Sequence, residues 1–274
     1  MDQRLIMILV ISAMALALIV QIIVIKLRRT KRRALLLDMP KEQTWDKILA
    51  ENVALYKYLP DDKKHALWGH MHIFMEEKHF EGCKGLEMTE TIKVTIAAQA
   101  CMLLLGQTNP TYYPKLNSIL VYPHAYVAQD FNGTVAGDSC RLGESWQGGN
   151  VVLAWDHTRQ KVIDLKDGHN LVLHEFAHQL DQEDGASDGA PILSDSTKYT
   201  PWAQIMVHEL DHLKQLVKKH KRDVMDKYGA TNPAEFFAVA TETFFEKGKS
   251  LKKKHPELYT ILRDYYKLDP AEWF

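Results

Sequence analysis

The sequence predicts an α+β domain, with a small mixed sheet between two groups of helices, preceded by one N-terminal transmembrane helix. Three observations lead to this prediction. A long uncharged apolar stretch stands near the N-terminus, helical apolar spacing dominates both ends of the remaining chain, and short runs with strand character lie between them. The length of 274 residues leaves room for one large domain behind such an anchor.

The overall composition is that of a globular protein with a solvated surface. Apolar residues make up 46% of the chain and charged residues 25%, and the formal net charge is −1. Because the charges nearly balance, we expect no nucleic-acid partner. The cysteines, Cys83, Cys101 and Cys140, show neither metal-binding nor disulfide spacing, so we expect small core residues in a reducing compartment.

The N-terminal stretch is long and apolar enough to cross a membrane. Leu5 to Ile25 contains 21 residues without a charge, and a helix of that length spans a hydrocarbon core of about 30 Å. Six basic residues follow between positions 26 and 33, whereas a signal peptide carries its basic residues before a shorter apolar stretch. The positive-inside rule then predicts a single-pass protein of the inner (cytoplasmic) membrane, with its C-terminal domain in the cytoplasm.

The chain is therefore expected to have three parts. We predict a transmembrane anchor over residues 1–26, a basic juxtamembrane linker over 27–43 and a single domain over 44–274. The alternative, that the first stretch is a buried core helix, is disfavoured because it has no polar stripe. Apolar spacing and turn residues predict these elements in the domain: helices at 45–59, 63–78 and 91–105, strands at 118–122 and 150–155, and helices at about 170–182, 201–220, 232–247 and 256–267.

The helix predicted at 170–182 carries the first candidate metal site, in the stretch NLVLHEFAHQLD. His174 and His178 are four residues apart, so they project from one face of a helix and can take two positions of a Zn²⁺ tetrahedron. Glu175 stands beside the open ligand position, where it can act as a general base. Most other residues of this helix are apolar, Phe176 included, so its polar groups need partners, and a metal would supply one.

A second HExxH motif, from His208 to His212, competes with the first. It lies on a predicted amphipathic helix with a basic end, and Asp211 occupies a position that would face the core. Because an unpaired buried carboxylate is costly, we interpret His208, Asp211 and His212 as part of a solvated face. Spacing alone does not exclude this motif, because Glu235 follows His212 by 23 residues, and a glutamate at such a distance completes some zinc sites.

A third metal ligand is expected from the segment YGATNPAEFFAVATETFF. Asn232 is a predicted N-cap with Pro233 at the first helical position, so Glu235 stands in the first turn. Glu235 and Glu242 share one face among apolar residues, which favours Glu235 as a zinc ligand and Glu242 as a group that orients a ligand histidine. The alternative for Glu235 is a first-turn acid that the helix dipole favours.

Three further features each have two interpretations. Tyr228, just before the Glu235 helix, either reaches a substrate oxyanion with its hydroxyl or packs against its neighbours. Asp181, on the same helix face as His174 and His178, either supports a ligand or caps the following turn. The strand at 149–155 is either a sheet edge beside the metal, to which an extended peptide pairs, or an ordinary buried strand.

Taken together, these motifs resemble the Mlc titration factor A family of zinc peptidases. The resemblance covers most of residues 45–270, and the family's active site is similar to that of the anthrax lethal factor protease domain. The family members to which we compare it are soluble and lack an N-terminal anchor. The matching stretches are HEFAHQLD, DGASDGAP, YGATNPAEFFAVATETFF and YYKLDP, with FMEEKHFEGCKGLEMTETIKVTIAAQACMLLLG, ILVYP and GESWQGGNVVLAW upstream.

The resemblance implies a zincin-like metallopeptidase domain with its active site on the HExxH helix. His174, His178 and Glu235 would bind one Zn²⁺ ion per chain, Glu175 would be the general base, and Tyr228 would stabilise the oxyanion. The implied activity is aminopeptidase-like hydrolysis of a peptide or protein substrate. The family is also associated with binding the glucose repressor Mlc, so the alternative is a regulatory protein that sequesters a transcriptional repressor of sugar uptake, with zinc mainly structural. A membrane-tethered scaffold without metal is a third hypothesis, which the apolar setting of the first motif disfavours.

Overall fold

A mixed sheet lies between an N-terminal and a C-terminal group of helices in the structure, which is a computed structural model. The structure describes residues 3–124, 126–129, 135–141, 143–146, 149–161 and 169–273. The described part is mostly helical with one small main sheet, and its first helix is long and apolar. This arrangement agrees with the predicted order of helices, sheet and helices.

The first helix is longer than the anchor that the sequence predicts. Helix α1 runs from Gln3 to Leu37 and contains both the apolar stretch and the basic run. The expected boundary at residue 26 therefore falls inside a continuous helix, because lysine, arginine and leucine are good helix formers. By length and composition, the part Leu9–Leu37 is able to cross a membrane.

The basic end of α1 packs on the globular part of the chain, where the sequence predicts a linker. Arg29 and Arg33 both bind the Glu77 carboxylate, with N–O distances of 2.6 and 2.7 Å. The Arg33 guanidinium also lies 4.5 Å from the centre of the Tyr112 ring. Leu36 is buried among core residues. The basic segment after the apolar stretch is thus part of the packed structure as far as the end of α1.

Three helices precede the main part of the sheet. The helix expected at 45–59 is shorter than predicted, because Val53 is extended and a 3₁₀ turn covers Ala54–Tyr58. The third helix starts after Pro60, since the residue before a proline avoids helical geometry. The helix expected at 91–105 is central to the core, as its apolar sequence predicts. Their bounds are α2 Trp45–Asn52, α3 Asp61–Glu77 and α4 Glu90–Met102.

The main sheet has four strands in the described part of the chain. Their bounds are β1 His79–Gly82, β2 Ser118–Tyr122, β5 Gly143–Trp146 and β6 Asn150–Ala154, and the order is β1-β2-β6-β5. The first three in this order are parallel, and β5 is antiparallel to β6. Because β6 is paired on both sides, it is an interior strand and the edge beside it is β5. A separate antiparallel pair contains β3 Tyr126–Gln129 and β4 Val135–Arg141.

The helices after the sheet carry the candidate site. Helix α6 packs against α4, β6 and α8, and its Phe176 ring lies 5.6 Å from Phe74 and 4.9 Å from Tyr113. This aromatic contact holds the apolar face of α6 on the core, as the sequence predicts, so its polar side chains face α8. The bounds of these helices are α5 Trp155–Lys161, α6 Leu171–Asp181, α7 Tyr199–Lys218, α8 Pro233–Glu246, α9 Gly248–Lys254 and α10 Pro256–Tyr266.

Candidate metal centre

The start of α6 is fixed by a residue that the sequence analysis does not single out, Asn170. Its side-chain oxygen accepts a hydrogen bond from Leu173 N at 3.0 Å, which caps the helix. Its backbone N–H donates to Glu242 Oε2 at 2.6 Å, and its side-chain amide donates to Glu246 Oε1 at 3.1 Å. Two acids of α8 therefore hold the N-terminus of α6, and this contact sets the position of the HExxH residues one turn further on.

The start of α8 has the cap that the sequence predicts. Asn232 Oδ1 accepts a hydrogen bond from Glu235 N at 2.9 Å, and Pro233 occupies the first helical position. Because this bond defines the first turn, the Glu235 side chain projects from the beginning of α8. It does so beside α6, where the two histidines lie.

Three candidate ligand atoms converge between α6 and α8. Glu235 Oε2 lies 3.0 Å from His174 Nε2 and 3.4 Å from His178 Nε2. One ligand atom from each of these residues lies within 4.8 Å of the others. Their side chains are 10–18% exposed, so the cluster is largely shielded yet accessible. The structure thus brings together the three residues that the sequence proposes as ligands.

The hydrogen bonds around His174 leave a position between His174 and Glu235 that a proton or a metal ion can fill. Glu242 Oε1 accepts from His174 Nδ1 at 2.7 Å, and because an ionised carboxylate only accepts, the proton is on Nδ1. A neutral His174 then points the Nε2 lone pair at Glu235 Oε2, a second acceptor 3.0 Å away. Two such acceptors repel each other unless a proton or a metal ion lies between them. A Zn²⁺ tetrahedron with bonds of about 2.0–2.1 Å has edges of about 3.3 Å, so the observed spacings fit a divalent metal.

The pKa values of His174 and Glu235 are shifted by the contacts within the cluster. Burial alone would lower the pKa of His174, but its hydrogen bonds to Glu235 and Glu242 raise this pKa well above the ordinary value. Burial alone would raise the pKa of Glu235, but hydrogen bonds to His174 and His178 lower it to about 2. Glu235 is therefore held in the ionised form by the two histidines that face it.

Glu175 lies in a different environment from the other acids of the site. It is 4% exposed, and its Oε2 atom is buried with no hydrogen-bond partner among the described residues. Burial raises the pKa of Glu175 to about 7, although the neighbouring His174 and His178 act to lower it. A carboxylate that exchanges a proton near neutral pH has the acidity that a general base needs.

Tyr228 stands at the exposed rim of the cluster. Its ring centre lies 5.9 Å from that of His174, and the residue is 53% exposed. It belongs to a 3₁₀ turn, Lys227–Ala230, whose first amides are fixed because Asp226 Oδ1 accepts from Tyr228 N at 2.7 Å. Asp226 is in turn paired with His169 at 3.3 Å. Tyr228 was expected either to reach a substrate oxyanion or to pack against its neighbours. Its exposed position next to a candidate ligand favours the first interpretation.

Asp181 binds the loop after α6, and this loop packs against the start of α8. Asp181 Oδ2 accepts a hydrogen bond from Gly189 N at 3.1 Å. Of the two interpretations of Asp181, this bond favours the cap of the turn over the support of a ligand histidine. A side chain at Gly189 would approach Pro233 O to 2.5 Å, so the loop passes directly against the first residue of α8. The buried carboxylate thus helps to position Glu235 indirectly.

The second HExxH motif has the solvated face that the sequence predicts. His208, Asp211 and His212 are all exposed on α7. Two residues of this motif are buried: the apolar Leu210, and Glu209, which pairs with His255 Nδ1 at 2.7 Å. Glu235 contacts the first motif and takes no part in the second, so its spacing after His212 has no structural meaning.

Several groups that position the site were not predicted from the sequence. Asn170 and Glu246 hold the two helices together, and His169 pairs with the acid that caps the Tyr228 turn. Two signals were available in the sequence. An asparagine directly before an apolar helix indicates an N-cap, and the spacing of Glu242 and Glu246 places both on one face of α8. The partners of these groups lie some 70 residues away, where spacing indicates nothing.

Two histidines of one helix and a glutamate with converging ligand atoms are a ligand set typical of metallopeptidases, and comparison with known proteins agrees. The model of the glucose-regulated metallo-peptidase M90 family matches residues 26–267, and the chain belongs to this family. A metal is therefore implied for these proteins. The match includes the basic part of α1 as well as the globular part.

Two kinds of relative match over most of the chain. An uncharacterized protein of Synechocystis sp. is 41% identical over 246 residues, which cover 87% of this chain and 89% of the relative. Mlc titration factor A of Yersinia pestis and that of Yersinia pseudotuberculosis are each 29% identical over 229 residues, or 81% of this chain and 83% of theirs. The resemblance to the Mlc titration factor A family is thereby confirmed.

Proposed function

We propose that the chain is a zinc-dependent peptidase in which Glu175 is the general base. The observation that carries this proposal is the convergence of His174, His178 and Glu235 on one space, with a further acid orienting His174. A zinc ion held by these three residues would polarise the scissile carbonyl and lower the pKa of a water molecule to about 7. Two histidines and a carboxylate are a common ligand set of hydrolytic zinc sites, which supports zinc as the metal.

The residues around the ligands have distinct roles in this proposal. Glu175 takes a proton from the attacking water and passes it to the departing amine, and its burial gives it the acidity for both steps. The Tyr228 hydroxyl donates a hydrogen bond to the oxyanion that forms at the carbonyl. Glu242 keeps the His174 ring in one tautomer and one orientation.

We propose a peptide or protein as the substrate and an aminopeptidase-like cleavage. Strand β5 is a sheet edge in the described part of the chain and contacts α6, so an extended peptide that pairs with β5 would pass close to the ligands. A comparison of short chromogenic peptides with free and with acetylated N-termini tests the aminopeptidase part. Equal turnover of both would replace it with an endopeptidase.

We further propose a single-pass protein of the inner membrane with the peptidase domain in the cytoplasm. From Leu9 to Ile25 the apolar part of α1 is exposed, and the basic residues follow it. Residues 1–26 would form the anchor, 27–43 a juxtamembrane segment that is docked on the domain through α1, and 44–274 the domain itself. Protease protection of sealed inside-out and right-side-out vesicles tests the orientation.

The decisive experiment on the peptidase uses the full chain in detergent and two matched variants. Glu175→Gln should keep the metal and lose hydrolysis, because the amide cannot accept the proton of the water. His208→Ala, in the exposed second motif, should keep both the metal and the hydrolysis. Retained turnover in Glu175→Gln would exclude the proposed mechanism.

A second candidate function is a regulatory protein that binds a transcriptional repressor of sugar uptake. The name of the Yersinia relatives, Mlc titration factor A, favours it. In that case the metal would mainly stabilise the contact between α6 and α8. Binding of a purified Mlc-type repressor to wild type and Glu175→Gln separates the two functions. Equal binding by a variant that has lost hydrolysis would support the regulatory role, and no binding by either protein would exclude it.

A further inference from the structure

A second group of side chains of the types that bind metals lies between α7 and the junction of α9 and α10, apart from the candidate metal centre. Glu209 and His212 are three residues apart on this helix, and His255 lies between α9 and α10. The His255 Nδ1 atom is 2.7 Å from Glu209 Oε2, and His212 Nδ1 is 3.8 Å from the same oxygen. One ligand atom from each of the three lies within 4.8 Å of the others.

We propose that Glu209, His212 and His255 form a second, structural site for a zinc-class divalent ion. A Glu-x-x-His spacing places both α7 side chains on one face, and a histidine from another element completes a set of two nitrogens and one oxygen. Binding at His255 Nδ1 displaces the proton that this nitrogen shares with Glu209. Two imidazoles and one carboxylate suit zinc better than calcium or magnesium, which prefer oxygen ligands.

The surroundings of His255 have the arrangement that supports a metal-ligating histidine. Its other ring nitrogen, Nε2, lies 3.1 Å from Asp223 Oδ1. This carboxylate would orient the imidazole ring while Nδ1 binds the proposed ion. His255 and Glu209 are 3% and 8% exposed, whereas His212 is 47% exposed. The site would therefore have two buried ligands and one exposed ligand, on whose side an ion can enter.

The proposed site would connect three segments, of which α7 packs against the Lys227–Ala230 turn that carries Tyr228. It joins α7, the loop with Asp223 and the α9–α10 junction. The residue after His212, Leu213, approaches Gly229 so closely that a side chain there would come within 3.3 Å of it. An ion at the second site would thus stabilise the base of the turn that carries Tyr228, without touching the first site.

The test is a zinc count on the full chain, purified in detergent without a polyhistidine tag, stripped with a chelator and dialysed against micromolar zinc. We expect two ions per chain in wild type, one in His212→Ala, one in His174→Ala and none in the double variant. His208→Ala is the matched control, because this histidine is exposed on the same helix one turn away, and it should keep both ions. His212 is exposed, so its substitution leaves the fold intact.

The outcomes separate this site from the peptidase proposal. A single ion in wild type that is lost with His174→Ala excludes the second site and leaves the peptidase proposal standing. A single ion lost only with His212→Ala supports the second site and excludes the first. Two ions in His212→Ala overturn the proposed ligand set. Asp223→Asn should weaken zinc binding at the second site by about 10–100-fold if this acid orients His255, and unchanged affinity would overturn that role.

Discussion

Glu242 and His174, on two different helices, share a hydrogen bond of 2.7 Å between Oε1 and Nδ1. The other carboxylate oxygen accepts the backbone N–H of Asn170 at 2.6 Å. One side chain of α8 therefore fixes both the start of α6 and the tautomer of its first histidine. Glu242 therefore both orients a candidate metal ligand and holds the two helices together.

This relationship predicts that Glu242→Gln weakens metal binding more than it weakens the fold. The amide still reaches both partners, but it no longer requires the proton to be on His174 Nδ1, so we expect an affinity loss of about 10–100-fold. Competition with a chromophoric chelator measures this loss, and a thermal melt of the metal-free protein measures the fold. An unchanged affinity would show that Glu242 serves only to cap α6.

Substitution of Tyr228 by phenylalanine should affect the reaction alone. Because the residue is exposed and no ligand, we expect an unchanged metal content and an unchanged melting temperature. Removal of one oxyanion donor typically lowers kcat by about 10²–10³, and KM should change little. Steady-state kinetics on any peptide that wild type cleaves provides the measurement. A rise in KM with a constant kcat would instead assign Tyr228 to substrate binding.

Two glycines of the loop after α6 form a matched pair for stability. Gly185 and Gly189 both have positive φ, +108° and +78°, so alanine at either position costs about 1–2 kcal/mol. At Gly185 the nearest group is the flexible end of Lys115 at 3.5 Å, whereas at Gly189 the new side chain would meet Pro233 O at 2.5 Å. We expect Gly189→Ala to be the more destabilising change.

Only the Gly189 variant should also lose metal affinity, because a shift of Pro233 moves Glu235, two residues further along α8. Melting temperatures with and without zinc measure both effects. Equal behaviour of the two variants would mean that the loop does not position α8.

The contact between α1 and α3 predicts a pH-dependent contribution to stability. Burial would raise the pKa of Glu77, but the hydrogen bonds from Arg33 and Arg29 lower it from 4.5 to about 2. The stability from these ion pairs is therefore fully present above pH 4.5 and is lost as the pH falls toward 2. The shift corresponds to about 3 kcal/mol at most, and solvent around Arg29 reduces it.

Glu77→Gln should lower the melting temperature at neutral pH, and the difference from wild type should shrink as the pH falls below 4.5. Glu76→Gln is the control, because Glu76 pairs with the exposed Arg32 and both side chains are about half exposed. Melts of the full chain in detergent across this pH range measure the effect. Equal and small changes in both variants would show that the basic end of α1 is not held by Glu77.

Much of the local structure could be predicted because it depends on neighbours in the sequence. The periodic apolar residues of α4 and α8, the Asn232 cap and the strand at 118–122 are all local patterns. Strand β1 was missed, since four residues with a partly exposed pattern have no strong periodicity. The basic run after the apolar stretch was interpreted as a linker, because its partner Glu77 lies 44 residues or more away.

For the candidate site, the sequence by itself determined which residues are able to share a helix face. The four-residue spacing of His174 and His178 depends only on helix geometry. The predicted Asn232 cap placed Glu235 in the first turn of an apolar helix, and the resemblance supported it as the third ligand. The tertiary structure decided which distant groups meet: Glu242 with His174, Asn170 with two acids of α8, and β6 in the interior of the sheet. Such contacts depend on the packing of whole helices and strands, because this packing buries apolar faces that extend over tens of residues. The spacing of residues within one segment does not determine it.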